Sequence, residues 1–136
     1  DVMLKLPNIR YKGHLEPIES LKLEASSDVM VVLYDLQYTK NKLSSPNKIY
    51  EAMMCGIPLI TNMEKELVGK ELGCGIIVDY NNIAQIKEAI ILLRDNVQVR
   101  TNMGQNGRKA FLQKYNWSAM EKKLFNIYST LMVNKK

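Results

Sequence analysis

A chain of 136 residues, 46% hydrophobic and 24% charged, suffices for one compact domain and falls short of two. Seven glycines, four prolines and two cysteines exclude collagen-like, low-complexity and disulfide-framework proteins. The net charge of +5 comes mostly from scattered lysines, with no basic face interleaved with aromatics, so nucleic acid is not an expected partner.

The longest apolar runs, Val29 to Tyr34 and Ala89 to Leu93, fall far short of the roughly 20 residues that cross a bilayer. There is no charged segment followed by an apolar one at the start, hence no visible signal peptide. The chain opens on Asp1 without an initiator Met, in what reads as the middle of an element. Residues 1–136 are therefore expected to be a single partial domain of something longer. Cys55 and Cys74 have no paired spacing, which suits small core thiols in a reducing, cytoplasmic compartment. His14 is the one histidine, so neither a metal nor a cofactor is expected.

In chain order, Ile9 to Lys12 forms a weak expected strand that ends at Gly13. Ile18, Leu21 and Ala25 share a helical face within Pro17 to Ala25. Val29 to Tyr34 suits a strand buried on both faces, and a polar loop runs from Asp35 to Ser45. Pro46 to Cys55 reads as a helix stopped by Gly56. Two further strands, Pro58 to Thr61 and Gly75 to Val78, flank a short helix around Glu66 to Leu72. Ile83, Ile86, Ile90 and Leu93 make a helical stripe. Val99, Met103, Ala110 and Phe111 suggest a second helix, kinked at Gly104 and Gly107. Ser118 and Glu121 form a capping-box pattern for a last helix presenting Met120, Leu124, Ile127 and Leu131. The alternation predicts an α/β fold: a Rossmann-like, mostly parallel sheet with helices on both faces and a helical C-terminal tail.

Ligands of such sheets bind beyond the carboxyl ends of the strands. The loops that matter are thus Gly13 to Leu15, Asp35 to Ser45, and the stretch after Thr61. Tyr34, Asp35 and Tyr38 either reach that cleft or only build its loop. Ser45 is expected to cap the helix, with Pro46 at its first position and Lys48 at its third. A cation there opposes the helix dipole, and a bound phosphate would reverse the sign. Asn47, Lys48 and Glu51 share one face, so Glu51 could take sugar hydroxyls one turn above a phosphate. The competing reading is a plain surface pair between Lys48 and Glu51. No residue stands out as catalytic.

The segment Ser45-Pro-Asn-Lys-Ile-Tyr-Glu-Ala-Met-Met-Cys-Gly-Ile-Pro-Leu-Ile60 resembles the signature of GT-B glycosyltransferases, in particular the retaining family 4. Tyr11-Lys-Gly13, Ala25 to Leu33, Gly73 to Val78 and Tyr115-Asn-Trp-Ser118 are similar to that family's other motifs, in order. The resemblance implies transfer of a sugar from a nucleoside-diphosphate sugar to an acceptor hydroxyl. It assigns Glu51 to the ribose hydroxyls, Ser44 to Asn47 (with Ser45 between) to the diphosphate, and Gly13 and His14 to the base. It also implies a separate N-terminal acceptor domain, absent from this chain, and peripheral membrane association of the full-length enzyme. Leu43 stands where the family often has a first Glu, and no acid lies between Asp35 and Glu51. The likeness is thus to S-P-x-K-x-x-E variants, and the isolated chain is expected to be inactive. The alternative is a non-catalytic α/β nucleotide-binding or interaction module.

Overall fold

A computed structural model describes residues 5–133. Three short strands, β1 (Met30–Val32), β2 (Leu59–Thr61) and β3 (Gly75–Ile77), form a parallel sheet in that order. Met30 lies opposite Leu59, and Leu59 opposite Gly75. Around them run α1 (Pro17–Ala25), α2 (Thr39–Lys42), α3 (Asn47–Cys55), a π-helical segment (Glu66–Glu71), α4 (Ile83–Asp95), α5 (Val97–Gln113) and α6 (Trp117–Val133).

The two-residue period of the strands splits the core. Val32 and Leu59 join Ile49, Met53, Val68, Cys74 and Ala110 in one cluster, on the side of α3. Ile60 and Val78 turn the other way, onto Ala89 and Leu93 of α4. Helices thus cover both faces, as a Rossmann-like sheet requires. Helix α5 serves both: Ala110 packs in the first cluster, while Val99 and Met103 pack against the second.

Several local expectations are corrected. Residues 9–12 are irregular, because no neighbouring strand offers them a ladder. Strand β1 is an edge among the described residues, and Val31 is 50% exposed instead of buried on both sides. The loop 35–45 contains the short helix α2. On α1 it is Leu21 that is half-buried, whereas Ile18 faces outward. On α4 the buried stripe is Ile86, Ala89 and Leu93, leaving Ile83 and Ile90 exposed.

Helix α5 runs through both of its glycines without interruption. They are buried because α3 comes too close for a side chain: a Cβ on Gly104 would lie 2.1 Å from the Gly56 carbonyl oxygen. On Gly107 it would lie 3.3 Å from the Cys74 Cβ. The Arg108 guanidinium adds a bond to the Met54 carbonyl at the end of α3. Gly56 closes α3 with φ 72°, its N–H donating to Met53 O at 3.2 Å and that of Ile57 to Ala52 O at 3.1 Å. This is the Schellman arrangement, which needs a left-handed residue and hence favours glycine.

The start of α6 also differs from expectation. Asn116, not Ser118, is the cap: its Oδ1 accepts from Ala119 N at 3.0 Å. The same side chain donates through Nδ2 to Phe111 O (2.9 Å) and Leu112 O (2.8 Å), so one amide closes α5 and opens α6. Beyond Glu121, α6 leaves the body, with Leu124, Ile127 and Leu131 exposed along it. No described helix is long and apolar enough to cross a membrane.

Candidate functional site

Helix α3 follows the carboxyl end of β1, so its N-terminus opens on the side where parallel sheets bind ligands. Pro46, not Ser45, occupies the N-cap position, with extended backbone and no side-chain cap. Proline offers no side-chain acceptor, so the first-turn N–H groups have no side-chain partner, and no acidic residue stands in that turn. Ser45 turns away: its Oγ lies 3.3 Å from the Tyr50 hydroxyl. The Ser44 hydroxyl donates to Asn41 O at 2.9 Å, tying the approach to α3 onto α2. Asn47 is exposed.

Lys48 is therefore at the second helical position, and it does not point into empty solvent. Its Nζ donates to Glu24 Oε1 of α1 at 2.6 Å and stands 2.6 Å from Glu51 Oε2. The Glu51 approach is an i,i+3 ion pair along the first turns of α3. The ammonium is the nearest cation to Glu51 Oε2, which is otherwise enclosed. Glu24 Oε2 is likewise buried and unpartnered, while its Oε1 also accepts from the Ser20 hydroxyl at 3.0 Å. The hydrogen bond to Glu24 first, then the one to Glu51, raises the Lys48 pKa, so the ammonium is held charged. Two carboxylates against one ammonium leave the cluster with one negative charge. Burial first, with Glu24 adding to it, pushes the nearby Cys55 thiol up.

Glu24 had no role on sequence grounds. Its signal was its position three residues after Leu21, on the α1 face that meets α3. Gly13 has φ 68° with open space around it, and both it and His14 are exposed. Among the described residues, no hydrogen bond or ion pair links either of them to α3. The structure thus brings Lys48 and Glu51 together, adds Glu24, and leaves Ser44, Ser45 and Asn47 along the approach to the helix. Leu43, at the position where an acid was sought, is 84% exposed on its own.

A second feature lies at the carboxyl ends of all three strands: a cleft of about 330 Å³. Asp35, Leu36 and Gln37 enter it after β1, Asn62 and Lys65 after β2, and Asp79, Tyr80 and Asn81 after β3. Lys42 of α2 completes it. Its floor is braced by Asn62, whose side chain accepts from Tyr34 N (2.9 Å) and donates to Tyr34 O (2.8 Å), continuing the β1–β2 ladder through a side chain. Asp35 Oδ1 accepts from Gln37 N at 2.9 Å, and Asn41 donates to Asp35 O at 2.7 Å. Lys65 lies 3.6 Å from Asp79. Of the residues flagged at the end of β1, Asp35 reaches the cleft, Tyr34 packs on the core, and Tyr38 is exposed outside it. No group of His, Cys, Asp or Glu among the described residues is arranged to hold a metal ion.

None of the curated proteins compared with the chain matches it. A family model described as glycosyl transferase-like matches residues 2–126, which includes every strand of the sheet, α3 and the cleft. With the parallel α/β architecture already in place, the conclusion is direct: the chain belongs to the glycosyl transferase-like family.

Proposed function

We propose that this chain is the donor-binding half of a retaining glycosyltransferase, holding a nucleoside-diphosphate sugar whose sugar passes to an acceptor hydroxyl. In this reading Glu51 accepts hydrogen bonds from the ribose hydroxyls. The backbone at Ser44, Ser45 and Asn47 faces the diphosphate, and Gly13 and His14 meet the base. Lys48 positions the Glu51 carboxylate and tempers its charge. The acceptor domain comes from sequence outside this chain, which by itself transfers no sugar because only one wall of the cleft is present.

The observation that carries the reading is the pair of Glu51 and the uncapped start of α3. A partly buried carboxylate, with Oε2 enclosed beside Lys48, sits one turn above first-turn amides that have no side-chain acceptor. Amides and dipole favour phosphate, while a carboxylate favours hydroxyl donors. The net negative charge of the Glu24–Lys48–Glu51 cluster fits hydroxyls and disfavours phosphate, so the diphosphate belongs at the helix start and the ribose at Glu51.

Calorimetric titration with uridine, guanosine and adenosine diphosphates tests this. One of them should bind, and Glu51→Ala should weaken it by about 1.5–3 kcal/mol, the range for hydrogen bonds to a charged group. Equal affinity in the folded variant would remove Glu51 from the site.

A further inference from the structure

Glu24 lies on α1, outside the motif that carries Lys48 and Glu51. We infer that it is a selectivity residue of the α3 site, acting through Lys48: by holding the ammonium it keeps Glu51 for ligand hydroxyls and disfavours a bare phosphate. This role rests on the donor reading. It adds the means by which the site tells a nucleoside diphosphate from free pyrophosphate.

A carboxylate is a costly choice at this position. The Glu24 side chain is 14% exposed, the least of any ion-paired carboxylate among the described residues, and its Oε2 is enclosed with no donor. Helix α1 has no wholly buried residue, so Glu24 also helps to fasten α1 onto α3. An aliphatic side chain would do that at lower cost, because one good partner offsets only part of the desolvation of a charge. What an aliphatic side chain would not do is compete for Lys48.

That competition has two consequences of opposite sign. Lys48 Nζ stands 2.6 Å from a carboxylate oxygen of Glu24 and 2.6 Å from one of Glu51. Glu24 does more than Glu51 to hold it charged, and Ser20 Oγ steadies the same Glu24 oxygen at 3.0 Å. With Glu24 present the three side chains carry one net negative charge, and Glu51 keeps capacity for hydroxyl donors. Without it one ammonium would face one carboxylate, and Glu51 would be taken up by Lys48. The lysine stem is flexible, so its ammonium could then also turn to an anion at the start of α3, where first-turn amides have no side-chain partner. Glu24 thus strengthens hydroxyl binding and weakens anion binding. Pyrophosphate, which has no ribose, gains nothing from Glu51, whereas a nucleoside diphosphate engages both features.

The test is titration of the whole chain with inorganic pyrophosphate and with whichever of uridine, guanosine and adenosine diphosphate binds. The quantity read is the preference, the ratio of the two affinities. In Glu24→Gln the pyrophosphate affinity should rise and the preference should fall about tenfold, the worth of one hydrogen bond to a charged group. Glu24→Met fills the same space without charge and should behave alike, which covers a failure of the first variant to fold. Glu24→Asp keeps the charge on a shorter stem and should stay nearer the wild type. Leu21→Ala loosens the same face of α1 without touching a charge and should leave the preference within about twofold, well short of the loss expected for a charged bond. A preference unchanged in the uncharged variants, or lost equally in Glu24→Asp or Leu21→Ala, would overturn the role and leave Glu24 as a fastening of α1. Failure of every nucleoside diphosphate to bind the wild type would remove the donor reading and this role with it. Binding that Glu51→Ala weakens, with a preference indifferent to Glu24, would remove this role alone.

Discussion

The two faces of the sheet are closed by different means. On the α3 face, Ile49, Ala52, Leu59 and Val68 are wholly buried, and the closing contact is made by glycines that let α5 touch the turn at Gly56. On the α4 face, Ile60 and Leu93 are as deeply buried, yet Val31 is half exposed, and Ile83 and Ile90 point outward. Helix α4 carries more large aliphatic side chains than α3, yet Ile83, Ile90, Ile91 and Leu92 stay exposed. Closure therefore depends less on how much hydrophobic surface a helix carries than on how near its backbone can come.

The largest test of that contrast is Gly104→Ala. Alanine is the better helix former by about 1 kcal/mol, so an unconstrained site would gain stability. Here the new Cβ would collide with backbone, and a urea melt should show a loss of about 5 kcal/mol or no folded protein. A stabilised variant would mean that α5 can move away from α3.

Next come paired truncations. Leu59→Ala and Leu93→Ala both empty a wholly buried site, and each should cost within the ~2–5 kcal/mol range for such cavities. Leu59→Ala should be the dearer, because the glycine contact stops α5 from settling into the space. Equal losses in the same melts would erase the difference between the faces.

A titration sharpens the same point. Burial pushes the Cys74 thiol on the α3 face up to about 11, from an ordinary 9.0. The folded state then keeps a proton that the unfolded chain releases. This contribution is whole below pH 9 and is lost as pH rises through about 11, on the order of 2–3 kcal/mol in full. Melts of wild type and Cys74→Ala against pH should differ in slope only between about pH 9 and about 11. The smallest effect is expected on the open face: Ile83→Ser, at a site 79% exposed, should change stability by less than about 0.5 kcal/mol.

The fold class and nearly every element were legible because strand periods, Pro17, Gly56 and the Gly75 to Val78 run are local signals. The faces were not. The glycines of α5 look like helix breakers to a local reading, since their reason lies in Gly56 and Cys74, some thirty to fifty residues away. Ser45 and Ser118 look like caps, but the hydroxyls that match a pattern are displaced by a proline and by Asn116, whose geometry only the folded chain fixes. At the candidate site, the likeness of Lys48 and Glu51 to a known motif was visible from spacing. Glu24 was not, because its approach to Lys48 depends on how α1 packs on α3. The cleft was only half legible: Asp35 stood out, while Lys65 and Asp79 are brought to it by successive strand ends.

The Gly104–Gly56 contact has a mechanical side. With no side chain between them, α3 and α5 cannot slide along one another without backbone meeting backbone, and Arg108 latches the same end. The two helices lie side by side, Gly104 against Gly56, Gly107 against Met53 and Tyr50 against Tyr115, so the part of α3 that carries Lys48 and Glu51 sits beside the end of α5. Asn116 welds α6 to that end of α5. Tyr50 against Tyr115 sets the start of α6 beside the part of α3 that carries Glu51, so a tilt of α6 would reach that carboxylate across one ring contact.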